Sequence, residues 1–401
     1  MPVFRGWIVV AGAFIVMMTA FGVSYSFGAF FDALQQEFGA LRGSVSLVFA
    51  ISGALYFLLG IVSGPLADRF GPRPVILFGM VLVAAGIWLA GRATALWQLY
   101  LAYGVGIGVG VGFAYVPAVA AVQRWFLRRR GTASGIAVAG IGIGTLIGPP
   151  FAAWAIEAFG WRGGYTALGV AGLVLGIVGC LLIDGPPARR GLRPDGDAGP
   201  PPSAHTPPPG ATLGQALRDR RFWWLYAATF VGCLGLFIPF VHLVPYALDH
   251  GIDRGVAVWL IGLIGIGSTV GRFFLGGMAD RMGRRQAFSL MFLGMALSMI
   301  LWFFGTDAVI LGIFALVFGL AYGGFVALAP ALVADYFGAR DIAGIIGWLY
   351  SSVAVGTLAG PSLAGVAYDV SGSYAVPIIL SGVFSAIAAA MIVRLPEPVR
   401  A

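Results

Sequence analysis

The sequence predicts an all-α polytopic membrane protein, with twelve transmembrane helices in two pseudo-symmetric six-helix bundles. Three observations predict it. Of 401 residues, 59% are apolar and 10% charged, against about 25% charged in soluble domains, and a soluble fold of this size cannot hide so much apolar surface. Twelve stretches approach the roughly 20 apolar residues that a membrane span needs. Finally, two motifs of the first half recur in the second at one displacement, 212 residues.

The spans fall near 7–31, 45–63, 75–91, 96–123, 131–158 and 163–183, then near 221–248, 256–279, 286–305, 308–334, 342–368 and 374–394. The first is too long for a signal-peptide core and lacks a cleavage site, so it stays a helix. Between the sixes runs the only long polar segment, Asp184 to about Arg218, with proline runs at 200–202 and 207–209. It reads as a disordered linker. The division expected is therefore 1–184, a proline-rich linker over 185–218, and 219–401. Gly64-Pro65-Leu66-Ala67-Asp68-Arg69-Phe70-Gly71 matches Gly276-Gly277-Met278-Ala279-Asp280-Arg281-Met282-Gly283, and Gly144-Thr145-Leu146-Ile147-Gly148-Pro149 matches Gly356-Thr357-Leu358-Ala359-Gly360-Pro361. Two unrelated matches in one register mark a duplicated six-helix unit.

The charges exclude whole classes of chemistry. All 24 basic residues are arginine, so a phosphate-binding loop and a pyridoxal Schiff base, both of which need lysine, are absent. No cofactor is expected, and no ATP-driven machine. Cys180 and Cys233 lie in apolar runs and read as packing residues. With both termini cytoplasmic, 19 arginines fall on the inner side and only Arg42, Arg92, Arg162 and Arg254 on the outer. This is a positive-inside pattern, which explains the net charge of +8 as membrane orientation rather than nucleic-acid binding. A multi-pass protein of the cell membrane, its only surroundings the lipid bilayer, is expected.

The two G-x-L-A-D-R-x-G-like loops and the 6+6 layout resemble the major facilitator superfamily, over essentially the whole chain. Gly6-Trp7, Tyr25-Ser26-Phe27-Gly28 and Gln123-Arg124-Trp125-Phe126 leading into Arg128-Arg129-Arg130-Gly131 look like its monocarboxylate and oxalate–formate transporter branch, as does Arg272 in span eight. The resemblance implies conformational gating at the loops, by Asp68, Arg69, Arg73, Arg124, Asp280, Arg281 and Arg284. Asp68 would pair with Arg124. The position equivalent to Arg124 in the second half is Asp335, so Asp280 would use Arg281 or Arg284. The Gly-x-x-x-Gly-Pro segments resemble a motif of drug–proton antiporters, but their presence in both halves fits close helix packing and a kink.

Charges inside a membrane are costly and hence functional by default. No Asp or Glu lies mid-span; only Arg272 and His242 do. Arg272 stands eight residues before Asp280, about 12 Å up its helix, and Tyr115 nine before Arg124, about 13 Å. Both heights approach the midplane, where transporters built from two repeats bind substrate. An arginine stays protonated in apolar surroundings, and its planar fork fits a carboxylate. Ser268, at i−4, shares its face; the resembling branch often holds Asp or Asn there. His242 is either a packed helix histidine, or a ligand for a second polar group, or the carrier of a coupled proton. Tyr25, Tyr322 and Tyr350 are packing aromatics or pocket walls, and the resemblance adds Ile141 as an apolar wall. Oxalate transporters of the branch place a lysine in span eleven, where this chain has Tyr350-Ser351-Ser352. One guanidinium balances one carboxylate, so a small monocarboxylate such as lactate or pyruvate is expected, moved with a proton by a monomer. The alternatives are an oxalate/formate-type exchanger and a multidrug exporter. A membrane enzyme would need a nucleophile with its base or a metal cluster, and a sensor an added soluble domain; the sequence offers neither.

Overall fold

A computed structural model describes residues 4–126, 130–185, 187–196, 210–338 and 341–396, without the side chains of 68, 130, 131, 188, 189, 276–278, 280, 281, 342 and 343. The described residues are almost wholly helical. Ten helices are long and apolar enough to cross a membrane, and one bent pair makes eleven. One of the ten, Thr132–Leu182, is 51 residues long, about 77 Å at 1.5 Å per residue and too long for one crossing. Gly160, at φ 70° and ψ 169°, breaks it, because glycine alone tolerates that backbone without strain. Twelve spans result, as the hydropathy pattern predicts.

We number them α1 (Arg5–Phe38), α2 (Arg42–Leu58 with Gly60–Phe70), α3 (Pro72–Ala90), α4 (Leu96–Trp125), α5 (130–159), α6 (161–182), α7 (Arg220–Asp249), α8 (Arg254–Met282), α9 (Arg284–Phe304), α10 (Ala308–Phe337), α11 (Ile342–Ser371) and α12 (Ala375–Val393). Large apolar side chains such as Phe274, Val309 and Val370 stand exposed around the bundle, which is the surface a bilayer covers.

Two devices place the site. The first helix of each half is interrupted at the same depth: α1 at Ser26 (ψ −8°) and α7 at Phe237 (ψ −4°). Such breaks free backbone groups only where they line a cavity or are buried in protein. The repeated glycine motif does the same work twice. A Cβ at Gly144 or Gly148 would meet the carbonyls of Met18 (2.1 Å) and Gly22 (2.4 Å) on α1, and at Gly360 that of Leu234 (2.2 Å) on α7. The motif is thus a close-packing seam between α5 and α1 and between α11 and α7.

The linker differs in part from the disordered expectation. Its core, 197–209, lies outside the described residues, but both ends are folded. Asp184 pairs with Arg5 (3.0 Å) and with Arg190. At the other end Thr212 and Gln215 form a capping box on the short helix Leu213–Arg218, and Ala211 N–H donates to Phe337 O (2.7 Å). Capping and one backbone bridge suffice to order a segment that composition alone marks as unstructured. The termini and linker share one face of the bundle, the linker face; the opposite one is the far face.

Candidate functional site

Arg272 is 5% exposed, and its Nε, Nη1 and Nη2 have no hydrogen-bond partner among the described residues. The same holds for Ser268 Oγ, one turn toward the far face on α8. Across the interface between halves, α5 approaches α8 through glycine. A Cβ at Gly142 would lie 3.2 Å from Arg272 Nη1 and 2.0 Å from Thr269 Oγ1. Gly142 therefore lets α5 pass close to the guanidinium, where a side chain would crowd Nη1. Ile141 is buried beside it, and its carbonyl accepts from Thr145 Oγ1.

Tyrosines surround this cation. Tyr25 (α1), Tyr115 (α4) and Tyr322 (α10) lie within electrostatic reach of the guanidinium. Tyr25 and Tyr322 join hydroxyl to hydroxyl at 2.9 Å, bridging the two halves. Tyr25 stacks on Phe240 of α7 (4.5 Å), Tyr115 meets Phe21 edge-on (5.3 Å), and Tyr350 of α11 meets Phe57 of α2 (5.7 Å). Six helices, three from each half, so contribute to one aromatic belt at the level of Arg272. Each hydroxyl gives the wall a donor and an acceptor, and each ring an apolar face. The layer so combines one guanidinium with hydroxyl donors and apolar ring faces. Among the described residues, no group of His, Cys, Asp and Glu could hold a metal ion.

His242 stands elsewhere, in a layer nearer the far face, and the structure does not bring it to Arg272. Its Nε2 lies 2.9 Å from Pro361 O and 3.1 Å from Ser46 Oγ, and its Nδ1 3.0 Å from Tyr374 Oη. Because a carbonyl only accepts, Nε2 carries the proton and Nδ1 accepts from Tyr374. The difference has a simple origin. His242 follows the break at Phe237 by five residues, so the half-helix that carries it runs on toward the far face.

The gating residues divide in the same way. The side chains of Asp68, Asp280 and Arg281 lie outside the described residues. Arg69 packs over the Phe70 ring (5.2 Å). Arg73 Nε donates to Ile183 O (2.9 Å), tying α3 to the end of α6. Arg124 occupies the last turn of α4, and Arg284 pairs with Asp335 at 2.6 Å within the second half.

Sequence reasoning missed a second centre, on the far face. Arg42, at the start of α2, grips Asp249 of α7 with both terminal nitrogens (2.7 Å each) and donates to Tyr374 Oη (2.8 Å). Its backbone N–H and that of Gly43 donate to the Asp369 carboxylate (2.9 and 2.8 Å), and its guanidinium covers the Tyr368 ring (4.0 Å). Arg254 Nη2 donates to Ala29 O (3.0 Å). All of these join one half to the other, so the far face is closed. Each of these charges sits at a span end, and that clustering was the available signal. Gly142 could have been singled out in the run Gly140-Ile141-Gly142-Ile143-Gly144.

The chain resembles known proteins along its length. The Major Facilitator Superfamily profile matches residues 12–257 and 225–401. Monocarboxylate transporter 13 of Bos taurus is 31% identical over 394 residues, 98% of this chain and 89% of its own. Monocarboxylate transporter 3 of Rattus norvegicus is 32% identical over 400 residues, 95% and 79%. Among solved structures, a bacterial homologue of the human lysosomal transporter Spinster, inward-facing and unoccupied, superposes with a TM-score of 0.73 at 16% identity, covering 98% of this chain and 97% of that one. With a buried arginine, unpartnered among the described residues, between two six-helix halves, the chain is a membrane transporter of the major facilitator superfamily, belonging to its monocarboxylate transporter family.

Proposed function

We propose that this protein carries a small monocarboxylate of the lactate or pyruvate kind across the membrane by alternating access, together with a proton. The observation that carries the reading is Arg272, a buried guanidinium with all three nitrogens unpartnered among the described residues. A buried cation without a counter-ion is costly, and a carboxylate answers it with two parallel charge-assisted hydrogen bonds. Ser268 Oγ adds a donor one turn away, and the Tyr25–Tyr322 pair forms the wall toward the far face. One cation favours one negative charge; a dianion would bury an uncompensated charge at a cost of several kcal/mol.

The linker face is assigned to the cytoplasm on the arginine distribution. With the far face closed, the next step of the cycle is release to the linker side. The loops around Asp68 and Asp280, with Arg69, Arg73, Arg124, Arg281 and Arg284, then act as the hinge of the opposite face. The coupled proton is assigned to His242. A proton on the substrate's own carboxyl would be opposed by the adjacent guanidinium.

The test is uptake of labelled monocarboxylates into proteoliposomes, with and without an imposed pH gradient. Accumulation of a monocarboxylate driven by an inward proton gradient is expected, with oxalate not transported. Arg272→Lys keeps the charge and loses the fork, and should lower affinity by at least about tenfold, the equivalent of 1.4 kcal/mol. Undiminished affinity in Arg272→Lys and Arg272→Ala would remove Arg272 from the site.

A further inference from the structure

The far-face network has a direction, because every proton in it can be placed. Ser46 Oγ donates to Arg42 O (2.6 Å), so its lone pair faces His242 Nε2. Nε2–H is shared between Ser46 Oγ and Pro361 O. Nδ1 then accepts the Tyr374 hydroxyl proton, and Tyr374 Oη in turn accepts from Arg42 Nη1. The chain Arg42→Tyr374→His242→Pro361 crosses from α2 of the first half to α7, α11 and the start of α12 in the second. It works only with a neutral imidazole. A proton on Nδ1 turns the sole acceptor into a donor. Tyr374 Oη would then face two cationic donors, and its own proton would lose its acceptor.

We infer that the Arg42–Tyr374–His242 chain is a proton-sensitive latch on the far face: protonation of His242 breaks its hydrogen bond with Tyr374, loosens the hold of Arg42 on the second half and favours opening of that face. This rests on the alternating-access reading but on no particular substrate. It places the action of the coupled proton on the gate and not on the carboxylate. A proton arriving from the far side favours the state that admits substrate from that side; its loss relatches the face.

Other groups around the histidine are accounted for. From α2 comes Arg42; from α11, Asp369 and Tyr368; from the start of α12, Tyr374; from α1, the Phe31 ring (5.6 Å) with Asp32 beyond it. From α7 itself come Tyr246, Asp249 and His250, and from the start of α8, Arg254. The His242→Gln variant below separates the histidine from the carboxylates Asp32, Asp249 and Asp369. The Nδ1 of His250 faces the carbonyl of its own helix, at Tyr246 O (2.8 Å), and not the Arg42–Tyr374 chain.

The test uses the full chain without any carboxylate. Spin labels at Thr94→Cys and Thr306→Cys, exposed far-face positions in different halves, report opening as a longer inter-label distance; the native cysteines are buried. The wild type should show one short distance at pH 8, and a longer population that grows several-fold at pH 5. His242→Gln should stay short at both pH values. Tyr374→Phe, which removes the relay, should show the longer population already at pH 8. A wild-type distance that does not change with pH overturns the latch. So does a pH response that survives in His242→Gln, which would move it to Asp32, Asp249, Asp369 or His250. Loss of carboxylate uptake beside a normal pH-driven opening would instead sink the substrate reading and leave the latch standing.

Discussion

Arg272 and Arg42 are nearly equally buried, 5% and 8% exposed, and their surroundings are opposite. Arg42 has a bidentate carboxylate, a tyrosine hydroxyl and an aromatic face. Arg272 has tyrosines at electrostatic range and no hydrogen-bond partner among the described residues. A satisfied buried charge holds structure together. An unsatisfied one stores the free energy that a ligand can release. Burial alone does not separate a gate from a seat; the state of the polar atoms does.

The sharpest way to break this comparison is to neutralise both. Arg272→Met removes a charge that no described residue answers with a hydrogen bond, so thermal stability without substrate should rise or hold, while carboxylate binding falls by two orders of magnitude or more; truncating one side of a buried charge pair costs about 2–5 kcal/mol. Arg42→Met strands Asp249 and should lower the melting temperature, with a cost below the roughly 3–5 kcal/mol of a fully buried pair, because Asp249 is partly exposed. Affinity should stay within about tenfold, or 1.4 kcal/mol. Thermal unfolding and ligand binding on both variants give four numbers. A stability loss in Arg272→Met larger than in Arg42→Met would mean that Arg272 is structural.

The difference between these arginines also marks what the sequence can disclose. Arg272 was legible because its signal is local: one charge at mid-span, no acid at that depth, Ser268 one turn away. The twelve spans and the duplicated unit were legible for the same reason, since hydropathy and repeats are written along the chain. Arg42 was not. Its partners lie 207 and 327 residues away, and only the register between two halves brings Asp249 and Asp369 to it. His242 shows the same limit. Its place inside an apolar span was readable, but its nearness to the far face and its partners Ser46, Pro361 and Tyr374 on other helices were not.

A milder perturbation tests whether access to Arg272 depends on the α5–α8 contact. Gly142→Ala puts a methyl 3.2 Å from Nη1 and 2.0 Å from Thr269 Oγ1, so Thr269 must rotate away from Gly265 O, which it now holds at 2.9 Å. Gly144→Ala meets backbone far more closely, Met18 O at 2.1 Å within one half, against Gly265 O at 3.0 Å for Gly142→Ala. We expect Gly142→Ala to fold and to bind carboxylate several-fold more weakly. Gly144→Ala should lose stability, by the roughly 1–3 kcal/mol of an overpacked contact. Equal melting temperatures for the two, with equal affinities, would erase the distinction between a glycine that clears a site and one that packs a seam.

The smallest effect belongs to a third arginine environment, the linker face, where Arg5 and Arg190 both reach Asp184. Burial pushes the Asp184 carboxyl up, but the hydrogen bonds from Arg5 and Arg190 and from the Gly185 N–H outweigh it and hold its pKa below the usual carboxylate value. A depressed pKa contributes stability that is complete above the unfolded value of about 3.9 and disappears as pH falls through the lower folded value. Asp184→Asn should therefore lower the melting temperature at pH 7, and the gap to wild type should close well below pH 4. The arginine side chains are 40% and 45% exposed, so solvent screening keeps the pair near 0.5–1 kcal/mol, and added salt should shrink it further. The Arg42–Asp249 pair, more deeply enclosed, should respond less to salt. If Asp184→Asn and Asp249→Asn lost the same stability and lost it equally in high salt, the two faces would be held alike. The far face would then have no claim to a latch of its own.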